Sequence, residues 1–328
     1  MTGALDIELV TERGRADWRL TLLGGVDTAA WAAGRKPEQV AALVPRVFNL
    51  CGAAHAQAAR AALDLPTPED GARQDEVARQ ERLRDHAVAI LADWPRIFGQ
   101  EPSRDALRGI GGGEAACSSL RAALLGTELD LAEAMPPALD RWLEAGVSPT
   151  ARLLARCRRE IDPAWGRAEL ASPAMDDIAA ALDAGRPTVA RESTAADLWR
   201  GSPLLAALMA HEGASLFVRM VARLLDLLGC LEPSRREGEG AFAAPRGIGL
   251  ARAARGLLAH RARVEDGIVT DYRVLSPSAW NLAGGGLLAR MLAALPINAR
   301  TPMLARLVVS CVNPCVPVRL RLGVAGEG

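Results

Sequence analysis

Residues 257–281, LLAHRARVEDGIVTDYRVLSPSAWN, carry the clearest fold signal in the chain. After Asp266-Gly267, the residues at 268, 270, 272 and 274 (Ile, Thr, Tyr and Val) alternate with Val269, Asp271 and Arg273, a period of two that is typical of a strand. An Asp-Gly pair favours the tight two-residue turn of a β-hairpin. The segment therefore predicts a hairpin, followed by a helix that begins near Pro277 and ends near residue 294.

The same alternation occurs near the start of the chain, over 7–11 and 18–22, on either side of Gly14. It predicts another hairpin. Helices are predicted over 37–63, 75–93 and 203–231, and the last of these has Ser202 as its N-cap and Pro203 in its first turn. The polar stretches 66–80 and 233–240 are predicted to be loops.

Composition agrees with a mainly helical fold. Half of the 328 residues are apolar, so the chain can bury a sizeable core. Only 4% are aromatic, and the apolar half is mostly Ala, Leu and Val, a mixture that favours helices over an all-β sandwich. We therefore expect a mainly α protein with two small β-hairpins, in the α+β class.

Charge and hydropathy exclude several classes of protein. The 39 basic and 39 acidic residues give a formal net charge of zero, which offers no overall basic surface for nucleic acid. No run approaches the apolar length of a membrane span, and residues 1–12 lack the pattern of a secretory signal. We expect a cytoplasmic protein that binds neither nucleic acid nor membrane.

Two pairs of residues have spacings that could serve metal chemistry. Cys51 and His55 are four apart on a predicted helix, so their side chains share one face. Cys311 and Cys315 are also four apart, a spacing that is not the C-x2-C of a zinc knuckle. Buried core thiols are common, so a packing role is the alternative for each pair. We expect the six scattered cysteines to be thiols.

The order of these residues resembles signature segments of the [NiFe]-hydrogenase large subunit. That family has R-x-C-G-x-C-x3-H, then E-A-P-R-G-x3-H, a G-x-I-x2-Y strand, P-T-x-W-N and a terminal D-P-C-x2-C-x2-H. The corresponding residues here are Arg46, Cys51 and His55; Ala253, Ala254, Arg255, Gly256 and His260; Gly267 and Tyr272; Pro277, Trp280 and Asn281; and Asn313, Pro314 and Cys315. The resemblance covers most of the chain in outline and implies a single large-subunit-like domain over 1–328.

The departures from that pattern concern the metal ligands. Phe48 stands where the family has its first cysteine, and Val318 stands where it has its last. Arg321 takes the place of the terminal histidine, and the R-x-E-G-H segment, whose glutamate handles protons, has no counterpart. Two of the four thiolates are missing, so the resemblance implies neither a complete NiFe centre nor hydrogenase catalysis.

This degenerate pattern resembles the HupK- or HoxV-type hydrogenase expression/formation proteins. The resemblance implies a non-catalytic maturation factor, a transient scaffold for iron carrying cyanide and carbon monoxide before its transfer to the large-subunit precursor. Its partners would be that precursor and other hydrogenase maturation proteins. The alternative is a metal-free interaction module or chaperone that binds the same partners.

The resemblance also implies roles for individual residues. Cys51 and Cys315 would be the iron ligands, and Cys311 is a candidate third thiol. His55 would support the site by hydrogen bonding, and Arg255 would approach the cyanide ligands. Each residue has a structural alternative: a core thiol, a satisfied core histidine, or an arginine in a surface salt bridge.

Overall fold

Helices connected around two small sheets make up the protein. The computed structural model describes residues 3–12, 15–24, 28–48, 50–66, 71–108, 110–111, 114–232 and 244–322. Its strands, in chain order, are β1 (Ala4–Glu12), β2 (Arg15–Leu23), β3 (Ile248–Ala253), β4 (Gly256–Glu265), β5 (Ile268–Leu275) and β6 (Val318–Leu322). The expected α+β class is confirmed.

The N-terminal hairpin is confirmed, and it belongs to a sheet with the order β2-β1-β6. Strands β1 and β2 pair antiparallel, with Ile7 opposite Leu20. Strand β6, which the sequence did not predict, pairs parallel to the other edge of β1, with Leu5 opposite Val318. Because β6 closely follows Cys315, this pairing anchors the C-terminal cysteine segment to the N-terminal sheet.

The second hairpin is also confirmed, and β3 extends it to the order β3-β4-β5. Asp266 and Gly267 have φ angles of 50° and 74° in the predicted turn. Between β3 and β4 the chain turns through Ala254 and Arg255. Gly256 closes this turn at φ 126°, where any Cβ would meet the backbone of Ser193. Glycine is required there, and it fixes the position of Arg255.

The helices are short and are separated by capped turns. In the N-terminal half they are α1 (Thr28–Ala32), α2 (Pro37–Val47), α3 (Gly52–Ala62), α4 (Gly71–Val88), α5 (Trp94–Ile97), α6 (Arg104–Arg108), α7 (Glu114–Leu125) and α8 (Pro136–Ala145). A π-helical turn at Ala89–Asp93 joins α4 to α5. The remaining helices are α9 (Pro149–Glu160), α10 (Met175–Ala184), α11 (Ala195–Leu198), α12 (Pro203–Glu212), α13 (Leu216–Leu231), α14 (Pro277–Asn281), α15 (Leu287–Ala293) and α16 (Thr301–Val312).

Three predicted helices are each divided in two. The 37–63 helix is α2 and α3, because the chain leaves helical geometry from Phe48 to Cys51. The 203–231 helix starts at the predicted Ser202 cap but breaks at Gly213, whose φ is 74°. The 278–294 helix is likewise interrupted between α14 and α15 by a glycine-containing turn. Local apolar spacing does not reveal such breaks.

The predicted 66–80 loop is wrong from residue 71 onward, since α4 begins at Gly71. This stretch is polar because one face of α4 is exposed, whereas Ala78 and Arg79 are buried. Arg79 donates to the carbonyl of Cys230 on α13. The predicted 233–240 loop lies outside the described residues.

Helix α13 is the centre of the main core, and all of its residues are buried. Its three charged side chains are paired: Arg219 with Glu192 at 2.7 Å, Arg223 with Asp85 at 3.0 Å, and Asp226 with His86 at 2.7 Å. Such pairing is what makes buried charges tolerable. Within the described ranges, no helix combines the length and apolarity needed to cross a membrane.

Candidate functional site

A pocket of about 450 Å³ opens between α3, the β3–β4 turn and the segment that follows α16. Four of the residues singled out in the sequence line it: Cys51, His55, Arg255 and Cys315. They come from opposite ends of the chain and from the turn between two strands. Cys311 does not line this pocket; it is 3% exposed and packs in the main core.

Cys51 begins α3 as its N-cap residue, rather than lying on the face of a continuous helix as the sequence predicted. Its carbonyl oxygen accepts a hydrogen bond from the backbone N–H of His55 at 2.9 Å. Its sulfur accepts a hydrogen bond from Nη1 of Arg255 at 3.2 Å. Burial raises the pKa of the Cys51 thiol to about 11, although the nearby Arg255 acts in the opposite direction. At neutral pH this residue is therefore a thiol.

Arg255 belongs to a buried ion network with Asp85 at its centre. Nη2 of Arg255 lies 2.9 Å from Asp85, and Arg223 lies 3.0 Å from the same carboxylate. The side-chain amide of Asn313 donates to Asp85 at 2.7 Å. Burial by itself would raise the pKa of Asp85, but Arg255 and Arg223 together hold it below its usual value. Asp85 is thus a carboxylate that fixes the direction of Arg255.

One atom of Arg255 has no hydrogen-bond partner in the part of the chain that the structure describes. Its Nε is buried, and among the described residues it has no hydrogen-bond acceptor. Arg255 as a whole is 8% exposed. A buried guanidinium N–H without an acceptor is costly, and Arg255 lines the pocket. An anionic or hydrogen-bond-accepting group in the pocket is the kind of partner that this atom lacks.

Behind Cys51, three buried side chains form a hydrogen-bonded chain. Nδ1 of His55 lies 2.9 Å from Nε2 of His260, and Nδ1 of His260 lies 2.6 Å from the hydroxyl of Tyr272. Phe48 stacks on His55 with ring centroids 4.2 Å apart. Burial and then Arg255 lower the pKa of His55 to about 3, and burial and then His55 lower that of His260. Both rings are neutral.

Cys315 lies in the short segment between α16 and β6. Helix α16 ends at Val312 because Asn313 adopts a left-handed conformation with φ 52°. The backbone N–H of Cys315 then donates to Oγ of Ser278 at 2.9 Å, and its side chain is half-buried at the pocket. Val318 and Arg321, which replace the family's last two ligands, lie in β6. Strand β6 pairs with β1 at the point where the family pattern has ligands.

All six cysteines are free thiols, as expected. No group of three or more His, Cys, Asp or Glu side chains that could hold a metal ion is present in the part of the chain that the structure describes.

A second, more open groove of about 770 Å³ shares Leu50 and Arg255 with the pocket. Its wall also includes the exposed Arg84 and Arg306.

Sequence reasoning missed Asp85, and it aligned His260 with the family pattern without giving it a role in the site. Asp85 lies on a predominantly polar helix, and its partners come from α13, the β3–β4 turn and the end of α16. The available signal was Arg255, because a buried arginine requires an acceptor. Ser278, which fixes the backbone of Cys315, had no sequence signal other than its position near Pro277.

Comparison with known proteins identifies the family. A family model described as nickel-dependent hydrogenase matches residues 147–294. The hydrogenase expression/formation protein HupK of Rhodobacter capsulatus is 36% identical over 335 residues, which cover 98% of each chain. The hydrogenase expression/formation protein HoxV of Cupriavidus necator is 28% identical, over 87% of each chain.

Solved structures agree on the fold. An NAD⁺-reducing [NiFe]-hydrogenase matches with a TM-score of 0.59 and 16% identity, covering 91% of this chain and 92% of that one. The Ni-Fe-Se hydrogenase of Desulfovibrio vulgaris Hildenborough matches with a TM-score of 0.58 and 16% identity, covering 94% and 95%. The expected large-subunit-like fold is confirmed. Because the Rhodobacter relative is 36% identical across nearly its whole length, the chain belongs to the HupK family of hydrogenase expression/formation proteins.

Proposed function

We propose that this protein is a non-catalytic maturation factor that transiently holds iron carrying cyanide and carbon monoxide ligands. In this role it passes the iron unit to the precursor of the hydrogenase large subunit and receives it from other maturation proteins. The iron unit is cargo and not a resident cofactor. The observation that carries the proposal is that Cys51 and Cys315 line one pocket.

The number of thiols suits such a cargo. Iron with strong-field diatomic ligands is low-spin and favours soft thiolate sulfur. Because the cargo brings its own cyanide and carbon monoxide, two cysteines suffice to anchor it and leave it exchangeable. A bare metal ion would need more protein ligands than the described residues bring together. Cys311 lies in the core and away from the pocket, so we assign it a packing role.

The other polar groups of the pocket match the cyanide ligands. A cyanide nitrogen accepts hydrogen bonds, and the buried Nε–H of Arg255 has no acceptor among the described residues. Asp85 holds the same guanidinium at 2.9 Å through Nη2, so the arginine is oriented before the cargo arrives. His55 is a further polar group in the pocket wall.

Nickel does not fit the proposed role. At the positions of two of the family's four thiolates this chain has Phe48 and Val318. The Phe48 ring stacks on His55, and Val318 pairs with Leu5 of β1. A tetrathiolate nickel site would thus lack half of its ligands, so neither a complete NiFe centre nor hydrogen cleavage belongs to the proposal.

Infrared spectroscopy tests this function. Protein purified without oxygen from cells that contain its maturation partners should show cyanide and carbonyl stretching bands. Cys51→Ala and Cys315→Ala should each abolish the bands. Cys117→Ala, which changes a half-buried thiol away from the pocket, and Cys311→Ala should keep them.

Two outcomes would contradict the proposal: bands that persist in either pocket variant, or native protein that contains no iron. Native protein without iron that still binds the large-subunit precursor would instead favour the metal-free interaction module. Precursor binding should therefore be measured on the same preparations.

A further inference from the structure

The hydrogen-bonded chain of His55, His260 and Tyr272 sets the chemical character of the pocket wall. His55 lines the pocket, whereas His260 and Tyr272 are fully buried behind it. The two bonds of the chain, at 2.9 Å and 2.6 Å, involve Nδ1 of His55 and both ring nitrogens of His260. Only Nε2 of His55 is therefore left to act on a molecule in the pocket.

A count of protons distinguishes the two possible arrangements. A neutral imidazole has one N–H and one acceptor nitrogen, so a single proton lies between His55 and His260. Either His260 donates to Nδ1 of His55, or Nδ1 of His55 donates to His260. In the first arrangement Nδ1 of His260 accepts a hydrogen bond from the Tyr272 hydroxyl. In the second it donates to that hydroxyl.

The Tyr272 hydroxyl decides between them. Among the described residues its one hydrogen-bond partner is Nδ1 of His260, and the side chain is 0% exposed. In the second arrangement the O–H hydrogen would be buried without an acceptor, at a cost comparable to a lost hydrogen bond. In the first arrangement the Tyr272 hydroxyl and Nε2–H of His260 both have acceptors, and the one remaining N–H, on Nε2 of His55, faces the pocket. The phenol is un-ionised, since burial raises the pKa of Tyr272.

We propose that Tyr272 and His260 are positioning residues that hold His55 as its Nε2–H tautomer, so that His55 presents a hydrogen-bond donor, not a metal ligand, to the pocket. Phe48 stacked at 4.2 Å fixes the plane of the ring. The partner of such a donor is an acceptor group such as a thiolate sulfur or a cyanide nitrogen. That last identification rests on the proposed function, whereas the tautomer does not.

Nitrogen NMR of the metal-free protein tests the inference. Of the four histidines, His55 is assigned in ¹⁵N-histidine-labelled protein by the loss of its signals in His55→Gln. Two-bond ¹H–¹⁵N spectra should show a protonated Nε2 and an unprotonated Nδ1 for His55. The opposite pattern in the native protein would overturn the proposal, even if no variant folds.

Two variants test the role of Tyr272. Tyr272→Phe removes the hydroxyl, so each arrangement then leaves one atom of His260 unsatisfied, and the single tautomer of His55 should give way to a mixture with shifted, averaged nitrogen signals. The matched control Phe48→Leu removes the stacked ring but not the chain and should keep the native pattern. An unchanged tautomer in Tyr272→Phe would show that Tyr272 does not set it. A mixture in both variants would attribute the tautomer to the packing around His55 and would equally overturn the role of the Tyr272 hydroxyl.

Because these spectra are recorded without iron, their outcome is independent of the infrared experiment. A native Nε2–H pattern in a protein without iron bands would support the tautomer and contradict the proposed iron carrier. Iron bands together with an Nδ1–H pattern would support the carrier and contradict the tautomer.

Discussion

The two cysteine segments of the pocket are held in different ways. Cys51 is 8% exposed and lies against Arg255, which Asp85 and its neighbours fix from behind. Cys315 is half-buried in the connection between α16 and β6, with a backbone hydrogen bond to Ser278. The Cys51 side is thus built before any cargo arrives, while the Cys315 side has fewer anchors. In the proposed function, the first would orient the iron and the second would adjust to it.

Removal of Asp85 should have the largest effect on stability. Asp85→Ala takes the carboxylate from both Arg255 and Arg223, which are buried. Loss of one partner of a buried ion pair costs about 3–5 kcal/mol, so the free energy of unfolding measured in urea should fall by that amount.

The matched variant on the other side is Ser278→Ala. It removes a single acceptor from the backbone N–H of Cys315 and should cost about 1 kcal/mol. Equal losses in the two variants would contradict the difference between the two sides.

The Cys51 side should also be the one that is sensitive to acid. Burial and Arg255 lower the pKa of His55 from 6.5 to about 3, and burial and His55 lower that of His260. Below pH 6.5 the unfolded chain therefore binds protons that the folded chain does not, so stability falls as the pH falls towards 3. The expected slope is about 1 kcal/mol per pH unit for each ring.

Urea denaturation between pH 6.5 and 4 measures this slope. His55→Gln should reduce it by about 1 kcal/mol per pH unit. The control is His211→Gln, because His211 is exposed and should leave the slope as it is. If the stability of His55→Gln depends on pH as steeply as that of the native protein, His55 is not buried as a neutral ring.

The two cysteines should also differ in their rates of alkylation. The thiolate is the reactive form, and burial raises the pKa of Cys51 to about 11. At pH 8, iodoacetamide should modify the half-buried Cys315 at least about tenfold faster than Cys51, as followed by mass spectrometry of the native protein. In urea the two rates should become similar. Equal rates in the native protein would contradict the assigned burial.

The sequence predicted those elements of the fold whose signal is local. Both hairpins were found because alternation and an Asp-Gly turn are short-range patterns. Strand β3 was not predicted. Its Gly249 packs against the backbone of Ala58 in α3, and its sequence lacks the alternation of polar and apolar residues that indicates a half-buried strand. Strand β6 was missed because its partner β1 is at the other end of the chain.

The candidate site was predictable only in part for the same reason. The family resemblance selected Cys51, Cys315, His55 and Arg255, which line one pocket. Cys311 was a candidate third thiol, but α16 ends at Val312 and leaves Cys311 in the core. Asp85 acts through partners that are 138 or more residues away, and no pattern along the chain records such contacts.

X-ray absorption at the iron edge tests the central claim most directly, that Cys51 and Cys315 hold the same iron. Native protein loaded in cells should show two sulfur neighbours at about 2.3 Å. Cys51→Ser and Cys315→Ser should each show one sulfur, with oxygen in place of the other. Two sulfurs that persist in either variant, or iron without sulfur neighbours in the native protein, would contradict the account.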